Sequence, residues 1–358
     1  MKILLYTDSL GAGGAQRQLV GLANMLSKRS FDVVVYTYYD FDFYKQYLDE
    51  NGIRNICMSD AVSPCSRIIE TYKYFKKEKP DWVIAYQETP SMVACFIKAL
   101  GCRYKLLVSE RNTTQRINRN DLIRFWSYRF ADSIVPNCFT QERFLTSNYT
   151  WMSKKICTIT NFVDLDYFAP KERSINSSRK VVVVASIWPP KNTLGFINAC
   201  ILLNQRGVDY RVDWYGISDL DTEYLEKCED LIKENNVKNI KLLPKTKNIK
   251  DVYLQSDIVC LPSFYEGTPN VICEAISCGK PILCSNVCDN SLYVKNSFNG
   301  FLFDPKEPTD IADKMQQMIE LDNKCYHLFS KNSRKVAEEK LSSSLFLDKY
   351  IKIILNHE

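Results

Sequence analysis

Two glutamates, Glu266 and Glu274, stand with seven residues between them in the run Phe264-Tyr-Glu-Gly-Thr-Pro-Asn-Val-Ile-Cys-Glu-Ala-Ile-Ser-Cys-Gly-Lys-Pro-Ile-Leu283. Paired carboxylates invite acid–base work at a glycosidic bond. If the stretch were wholly helical, eight steps of about 1.5 Å would part them by roughly 12 Å, too far to flank one bond at about 5–9.5 Å. That span suits the two ends of a sugar-diphosphate-nucleoside instead. Between them, Gly267 permits a close backbone approach and Pro269 fits a first helical turn. The amides from Gly267 through Thr268 and Asn270 to Val271 then form an anion site, Pro269 itself offering no N–H. Gly279 ends the helix, and Lys280-Pro281 leads into the next strand.

Such a turn needs a strand before it and a helix after it. Short apolar runs without polar alternation recur along the chain, the pattern of parallel strands covered on both faces. Ile3–Tyr6, Val33–Tyr38, Trp82–Tyr86, Lys105–Ser109, Ser133–Val135 and Ile156–Thr160 read as strands of a first half. Val181–Ser186, Arg211–Tyr215, Ile240–Leu243, Ile258–Leu261, Ile282–Ser285 and Phe301–Phe303 read as strands of a second. Helix-length segments separate them, so the fold class is α/β, with two Rossmann-like, doubly wound parallel-sheet lobes. The polar stretch Pro170–Lys180 reads as the linker, giving domains at 1–170 and 171–339. Ligands of such sheets bind beyond the carboxyl ends of the strands, so a central cleft between facing lobes is the expected site.

Composition removes other classes. A chain of 358 residues, 46% hydrophobic, is long enough for two cored domains and too apolar for intrinsic disorder. No apolar run reaches membrane-spanning length, and Asp8 interrupts the N-terminus too soon for a signal peptide, so a cytoplasmic location is expected. Fourteen cysteines without an export signal read as free thiols. Cys273, Cys278, Cys284 and Cys288 lack zinc-finger spacing, and with only His327 and His357 in the chain no metal site is expected.

The Glu266/Glu274 segment, Glu-Gly-Thr-Pro-Asn…Glu-Ala…Gly-Lys-Pro, resembles the signature of the retaining family-four glycosyltransferases of the GT-B fold. The likeness spans nearly the whole chain. Gly11-Ala-Gly-Gly-Ala-Gln-Arg17 resembles that family's glycine loop, although Gln16 replaces the last glycine of a dinucleotide fingerprint. Asn161-Phe-Val-Asp164…Phe168-Ala-Pro170 is similar to its stretch before the linker, and Ser186-Ile-Trp-Pro-Pro-Lys-Asn192 to its phosphate motif.

The resemblance implies a nucleotide-sugar donor, no metal or other cofactor, and a glycan or lipid-linked glycan acceptor of bacterial surface polysaccharides. It implies that Glu274 reads the ribose, that Glu266 contacts the donor sugar, and that Lys191 is the point charge on the diphosphate. The turn residues Gly267, Thr268, Pro269 and Asn270 would hold sugar and phosphates, with Gly13 and Gly14 approaching from the first lobe. The C-terminal helix, about 340–358, is expected to rejoin that lobe. Two departures stand out. The family's usual Arg five residues before the phosphate Lys is Ser186, leaving Arg17 and Arg111 as candidate substitutes, and its first-lobe His is missing. Ser109-Glu110-Arg111-Asn112 occupies that strand end, so Glu110 and Arg111 are the expected acceptor contacts, a Glu110–Arg111 salt bridge being the alternative. Asp164-Leu-Asp166 imitates a metal-binding string but lies inside the Asn161–Pro170 stretch, and Lys191-Asn192 could simply open a helix.

Charge is uneven. Between Arg103 and Arg129, seven basic residues face only Glu110 and Asp121, a local balance of +5. Interleaved with Leu122, Ile123, Phe125, Trp126, Tyr128 and Phe130, this segment reads either as a helix with its aromatics in the core or as a face for an anionic membrane surface. A recognised nucleic-acid module is absent, and no nucleic-acid partner is expected. The rival readings are a nucleotide-sugar epimerase or hydrolase on the same lobes and a non-catalytic nucleotide- or glycan-binding protein.

Overall fold

The structure, a computed structural model, describes residues 1–58, 63–114, 116–171, 179–218 and 221–356. It divides into two compact units, Met1–Asn161 with Ser344–Glu358 and Phe162–Ser343. Most of the expected linker and His357 lie outside the described residues.

The first unit holds β1 (Lys2–Tyr6), β2 (Asp32–Thr37), β3 (Arg54–Cys57), β4 (Trp82–Tyr86), β5 (Lys105–Glu110) and β6 (Ser133–Pro136). Its helices are α1 (Gly14–Lys28), α2 (Lys45–Glu50), α3 (Pro64–Glu78), α4 (Glu88–Ala99), α5 (Arg119–Ser127) and α6 (Phe139–Asn148). The second unit holds β7 (Arg179–Val184), β8 (Tyr210–Ile217), β9 (Ile240–Pro244), β10 (Ile258–Leu261), β11 (Ile282–Ser285) and β12 (Gly300–Phe303). With them come α7 (Thr193–Gln205), α8 (Thr222–Glu234), α9 (Ile249–Leu254), α10 (Asn270–Ser277), α11 (Pro308–Ile319) and α12 (Asn323–Lys340), after which α13 (Ser343–Leu355) returns to the first unit.

Every ladder is parallel, in the orders β3-β2-β1-β4-β5-β6 and β12-β11-β10-β7-β8-β9. Both are the doubly wound order, each reversing once: between β1 and β4 in the first sheet, between β7 and β10 in the second. The expected two-lobed α/β fold is observed. Its central strands are apolar because helices cover both faces: Ile3 to Tyr6 and Val181 to Val183 are fully buried. Trp214 anchors the second core edge-on to Phe196, at 5.5 Å between ring centroids.

One strand was not expected and one expected strand fails. Arg54–Cys57 forms the edge strand β3, invisible as a pattern because an edge position leaves its side chains half exposed and tolerates Arg and Asn. Ile156–Thr160 is no regular strand: it has an isolated bridge from Ile156 to Ile134 and N–H bonds from Cys157 to Ile134 O and from Ile159 to Pro136 O. The division between units falls at Asn161, ahead of the expected break after Pro170. Val163 N–H donates to Leu341 O at 2.9 Å and Arg334 Nη1 donates to Leu165 O at 3.0 Å, tying 162–170 to the second unit. α13 packs with the first unit: Tyr350 and Tyr86 share a buried hydroxyl–hydroxyl hydrogen bond of 2.8 Å.

Candidate active site

The reversal in the second sheet sets β7 and β10 side by side, so the loops leaving their carboxyl ends must be neighbours. From β7 the chain passes Ser186 into a short 3-10 turn, Pro189–Lys191, and Asn192 (φ 58°, ψ 39°) redirects it into α7. From β10 it passes Phe264 and Glu266 into the turn that opens α10. The loops are stitched together by Phe264 N–H donating to Pro190 O at 2.9 Å. Lys191 Nζ lies 2.6 Å from Glu266 Oε1, the two side chains 25% and 13% exposed. Residues 75 positions apart in sequence thus form one charged pair at the carboxyl edge of the sheet.

Pro269 caps α10 and the first intrahelical bond runs from Cys273 N to Pro269 O, so the amides of Asn270 to Ile272 precede the ladder. Gly267 and Thr268 lead into this end, where the partial positive charge of the helix favours an anion. Glu274 is buried in the second turn of α10 and accepts from Tyr253 Oη at 3.0 Å. A hollow of about 710 Å³ opens beside these loops, lined by Phe264, Asn286, Phe303 and Lys306 among others; neither glutamate lines it.

In the first unit, Gly13 caps α1 and Gly14 is its first residue, directly after the loop that leaves β1. A Cβ at Gly13 would sit 2.1 Å from Gln16 Oε1. Asp8 Oδ1 accepts from Gln16 Nε2 at 2.9 Å, and Gln87 Oε1 from Thr7 Oγ1 at 2.9 Å. Gln87, between β4 and α4, holds φ 73° and ψ 173°, a conformation that is essentially glycine's and costs about 1–3 kcal/mol in other residues. Sequence reading missed it, because no residue type there signals a left-handed turn.

Glu110 departs from expectation. It is 2% exposed and its carboxylate is spent on Tyr128, whose hydroxyl donates to Oε1, and on Gln141 Nε2 at 3.1 Å. Its nearest cation is Arg124, at 3.8 Å, and not Arg111. Burial pushes its pKa up, opposed by Arg124 and the Tyr128 hydrogen bond. Below the ordinary carboxylate value both folded and unfolded chains carry this proton; above it the unfolded chain releases it while the native one keeps it. Stability from this group therefore falls as pH rises from the unfolded value through the folded one. Urea denaturation at about pH 5 and about pH 8 is expected to show a smaller loss for Glu110→Gln than for wild type. Equal losses would dismiss the assignment.

Arg111 follows β5 and is 9% exposed. Its guanidinium lies 4.2 Å from the Tyr86 ring centroid and donates once, to Asn161 Oδ1 at 3.2 Å. Asp164 Oδ1 accepts from the amides of Asp166 and Tyr167, a local turn. Among the described residues no three His, Cys, Asp or Glu side chains converge as metal ligands. Cys273, Cys278 and Cys284 are buried free thiols.

Comparison with known families places this geometry. The sequence model of the glycosyl transferases group 1 matches residues 168–336, and that of Glycosyltransferase Family 4 matches residues 12–167. The chain belongs to the family-four glycosyltransferases of the GT-B fold. This glycosyltransferase is 27% identical over 350 residues to the UDP-Gal:alpha-D-GlcNAc-diphosphoundecaprenol alpha-1,3-galactosyltransferase of Escherichia coli, covering 90% of this chain and 88% of that one. It is 22% identical to an undecaprenol-linked-glycan alpha-1,4-N-acetyl-D-galactosaminyltransferase of Campylobacter jejuni, covering 90% of each. Its fold matches that of Anabaena HepE, crystallised with UDP and glucose, with a TM-score of 0.87, 18% identity and coverage of 99% and 100%.

Proposed function

We propose that this enzyme transfers a hexosyl or N-acetylhexosaminyl group from a UDP-sugar to a lipid-linked oligosaccharide or polysaccharide acceptor in capsule or O-antigen synthesis, with retention and without a metal. The observation that carries this reading is the pairing of Lys191 with Glu266 beside the amino end of α10, with Glu274 one turn further on. Lys191 and the first-turn amides offset charge on the departing diphosphate, Glu266 orients the sugar, and Glu274 accepts from the ribose hydroxyls. In the transfer, the acceptor hydroxyl oxygen bonds to the anomeric carbon on the face from which the phosphate departs. The anomeric carbon–oxygen bond breaks with its electron pair going to the phosphate, which takes the hydroxyl proton. This step asks for no protein base, in keeping with a chain that has no histidine in residues 1–161. The named activities of the Escherichia coli and Campylobacter relatives and the UDP-bound Anabaena structure support the donor and acceptor classes.

The test is a panel of UDP-sugars with undecaprenyl-diphosphate-GlcNAc as acceptor. An α-linked product with acceptor-dependent UDP release is expected, unaffected by a chelator. UDP released equally without acceptor would support the hydrolase or epimerase reading, and binding without release the non-catalytic one.

A lipid-linked acceptor fits a membrane-facing first unit, at the cytoplasmic side. On and just before α5, Ile117, Leu122, Ile123 and Trp126 are all at least 41% exposed, while Phe125 and Tyr128 fill the core. Arg116 and Arg119 are exposed beside them, so the apolar face has a basic border suited to anionic headgroups. Arg124 belongs to the interior, paired with Glu88 and Asp121. No helix among the described residues is long and apolar enough to cross a membrane. Sedimentation with phosphatidylglycerol vesicles is expected to show binding that Leu122→Glu with Trp126→Glu weakens by roughly tenfold or more. Equal binding by both proteins would remove this face from the account.

A further inference from the structure

The first unit contains a buried charge without a counter-ion. Three arginines are buried among the described residues: Arg111, Arg124 and Arg179. Arg124 meets the carboxylates of Glu88, Asp121 and Glu110. Arg179, at the amino edge of the second sheet, donates to Leu321 O, just beyond the end of α11, and to Asn323 Oδ1. There the negative end of the helix compensates it. Arg111 has neither. It forms no ion pair with a described residue, and its Nε and Nη2 have no hydrogen-bond partner there. What it has is support: the Tyr86 ring beneath the guanidinium, one bond to Asn161, and its own carbonyl accepting from Asn137 Nδ2 at 3.2 Å. Tyr86 is in turn fixed by Tyr350 of α13.

A buried guanidinium held in place with two of its nitrogens unpartnered and no counter-ion is costly unless an anion completes it. Its position favours a ligand, because Arg111 directly follows β5 at the carboxyl edge of the sheet, the edge on which α/β proteins bind. Acids of the first unit have other partners: Glu110, Glu88 and Asp121 all face Arg124, and Asp8 is engaged by Gln16, Ser9 and Thr7. We propose that Arg111 is a substrate-contacting residue whose free N–H edge takes a phosphate group of the substrates. A planar fork of donors matches two phosphate oxygens. The phosphate belongs either to the sugar nucleotide or to the lipid diphosphate of the acceptor, so the inference rests on the transferase reading for its source but not for its chemistry.

The experiment uses the full chain with Arg111→Met, which keeps bulk over Tyr86 and removes the charge, and Arg111→Lys. Pyrophosphate and UDP are titrated by thermal shift, and transfer kinetics are measured against each substrate. Arg111→Met is expected to melt no lower than wild type, because it removes an uncompensated charge. It should raise one substrate's KM, or lower kcat/KM for it, by about tenfold or more, with Arg111→Lys only partly restoring it. A higher donor KM with weaker UDP binding assigns the nucleotide phosphate; a higher acceptor KM with UDP binding unchanged assigns the lipid diphosphate. A lower melting temperature with both KM values unchanged would overturn the proposal and mark Arg111 as structural. If wild type transfers no sugar yet binds pyrophosphate through Arg111, the transferase reading fails and the phosphate site stands.

Discussion

Lys191→Ala is expected to lower kcat at saturating donor by roughly two to three orders of magnitude, the usual effect of deleting one preorganised group that meets charge developing in a transition state. Two features make Lys191 the vulnerable position. Ser186 stands where a second cation would share the work, so within this loop the lysine acts alone. The ammonium is also partly withdrawn from water, 25% exposed, so solvent screens it less than a surface lysine, and Glu266 at 2.6 Å holds it in place. Glu266→Gln offers the contrast. It keeps a hydrogen-bonding oxygen near Lys191 but removes the negative charge, so donor binding should survive better than turnover. Initial rates across donor concentrations separate these effects, and a Lys191→Ala kcat within about twofold of wild type would sink the catalytic role given to the pair.

Gly216→Ala is expected to be the most damaging small substitution, costing on the order of 3–5 kcal/mol by urea denaturation. A Cβ there would stand 1.7 Å from the Ala185 carbonyl oxygen, a backbone atom with nowhere to go. That carbonyl also accepts from Trp214 Nε1 at 2.8 Å. Relief would require breaking the bonds from Ala185 N to Tyr215 O, 3.2 Å, and from Ile187 N to Gly216 O, 3.3 Å. Those bonds carry β7 into the Ser186–Lys191 loop. If the protein yields locally instead of unfolding, the loop moves and UDP binding should vanish while the melting temperature holds. An alanine variant with wild-type stability and wild-type UDP affinity would contradict the geometry.

What the sequence revealed follows from how directly each feature is written in local residue types. Strands such as Trp82–Tyr86 and Ile258–Leu261 were legible to the residue, because a central parallel strand must be apolar on both faces. β3 was not, since an edge strand satisfies itself on one side and can be polar. The Lys191–Glu266 encounter was anticipated only as two roles; that they touch depends on the strand order, which places β7 beside β10. Glu110 shows the opposite case. Its partners Tyr128 and Gln141 lie 18 and 31 residues downstream, and nothing near Glu110 in sequence announces that they will enclose its carboxylate. Nor could composition reveal that 162–170 is held by Arg334 and Leu341, from a helix far along the chain and the residue that ends it.

The hydroxyl bond between Tyr86 and Tyr350 spans 264 positions. During synthesis the whole of Phe162–Ser343 must leave the ribosome before the first unit can receive its last helix. The later-made unit is therefore the one able to mature first, and the earlier-made one waits with an unfilled face. A chaperone or a stalled nascent chain would meet the first unit in that unfinished form.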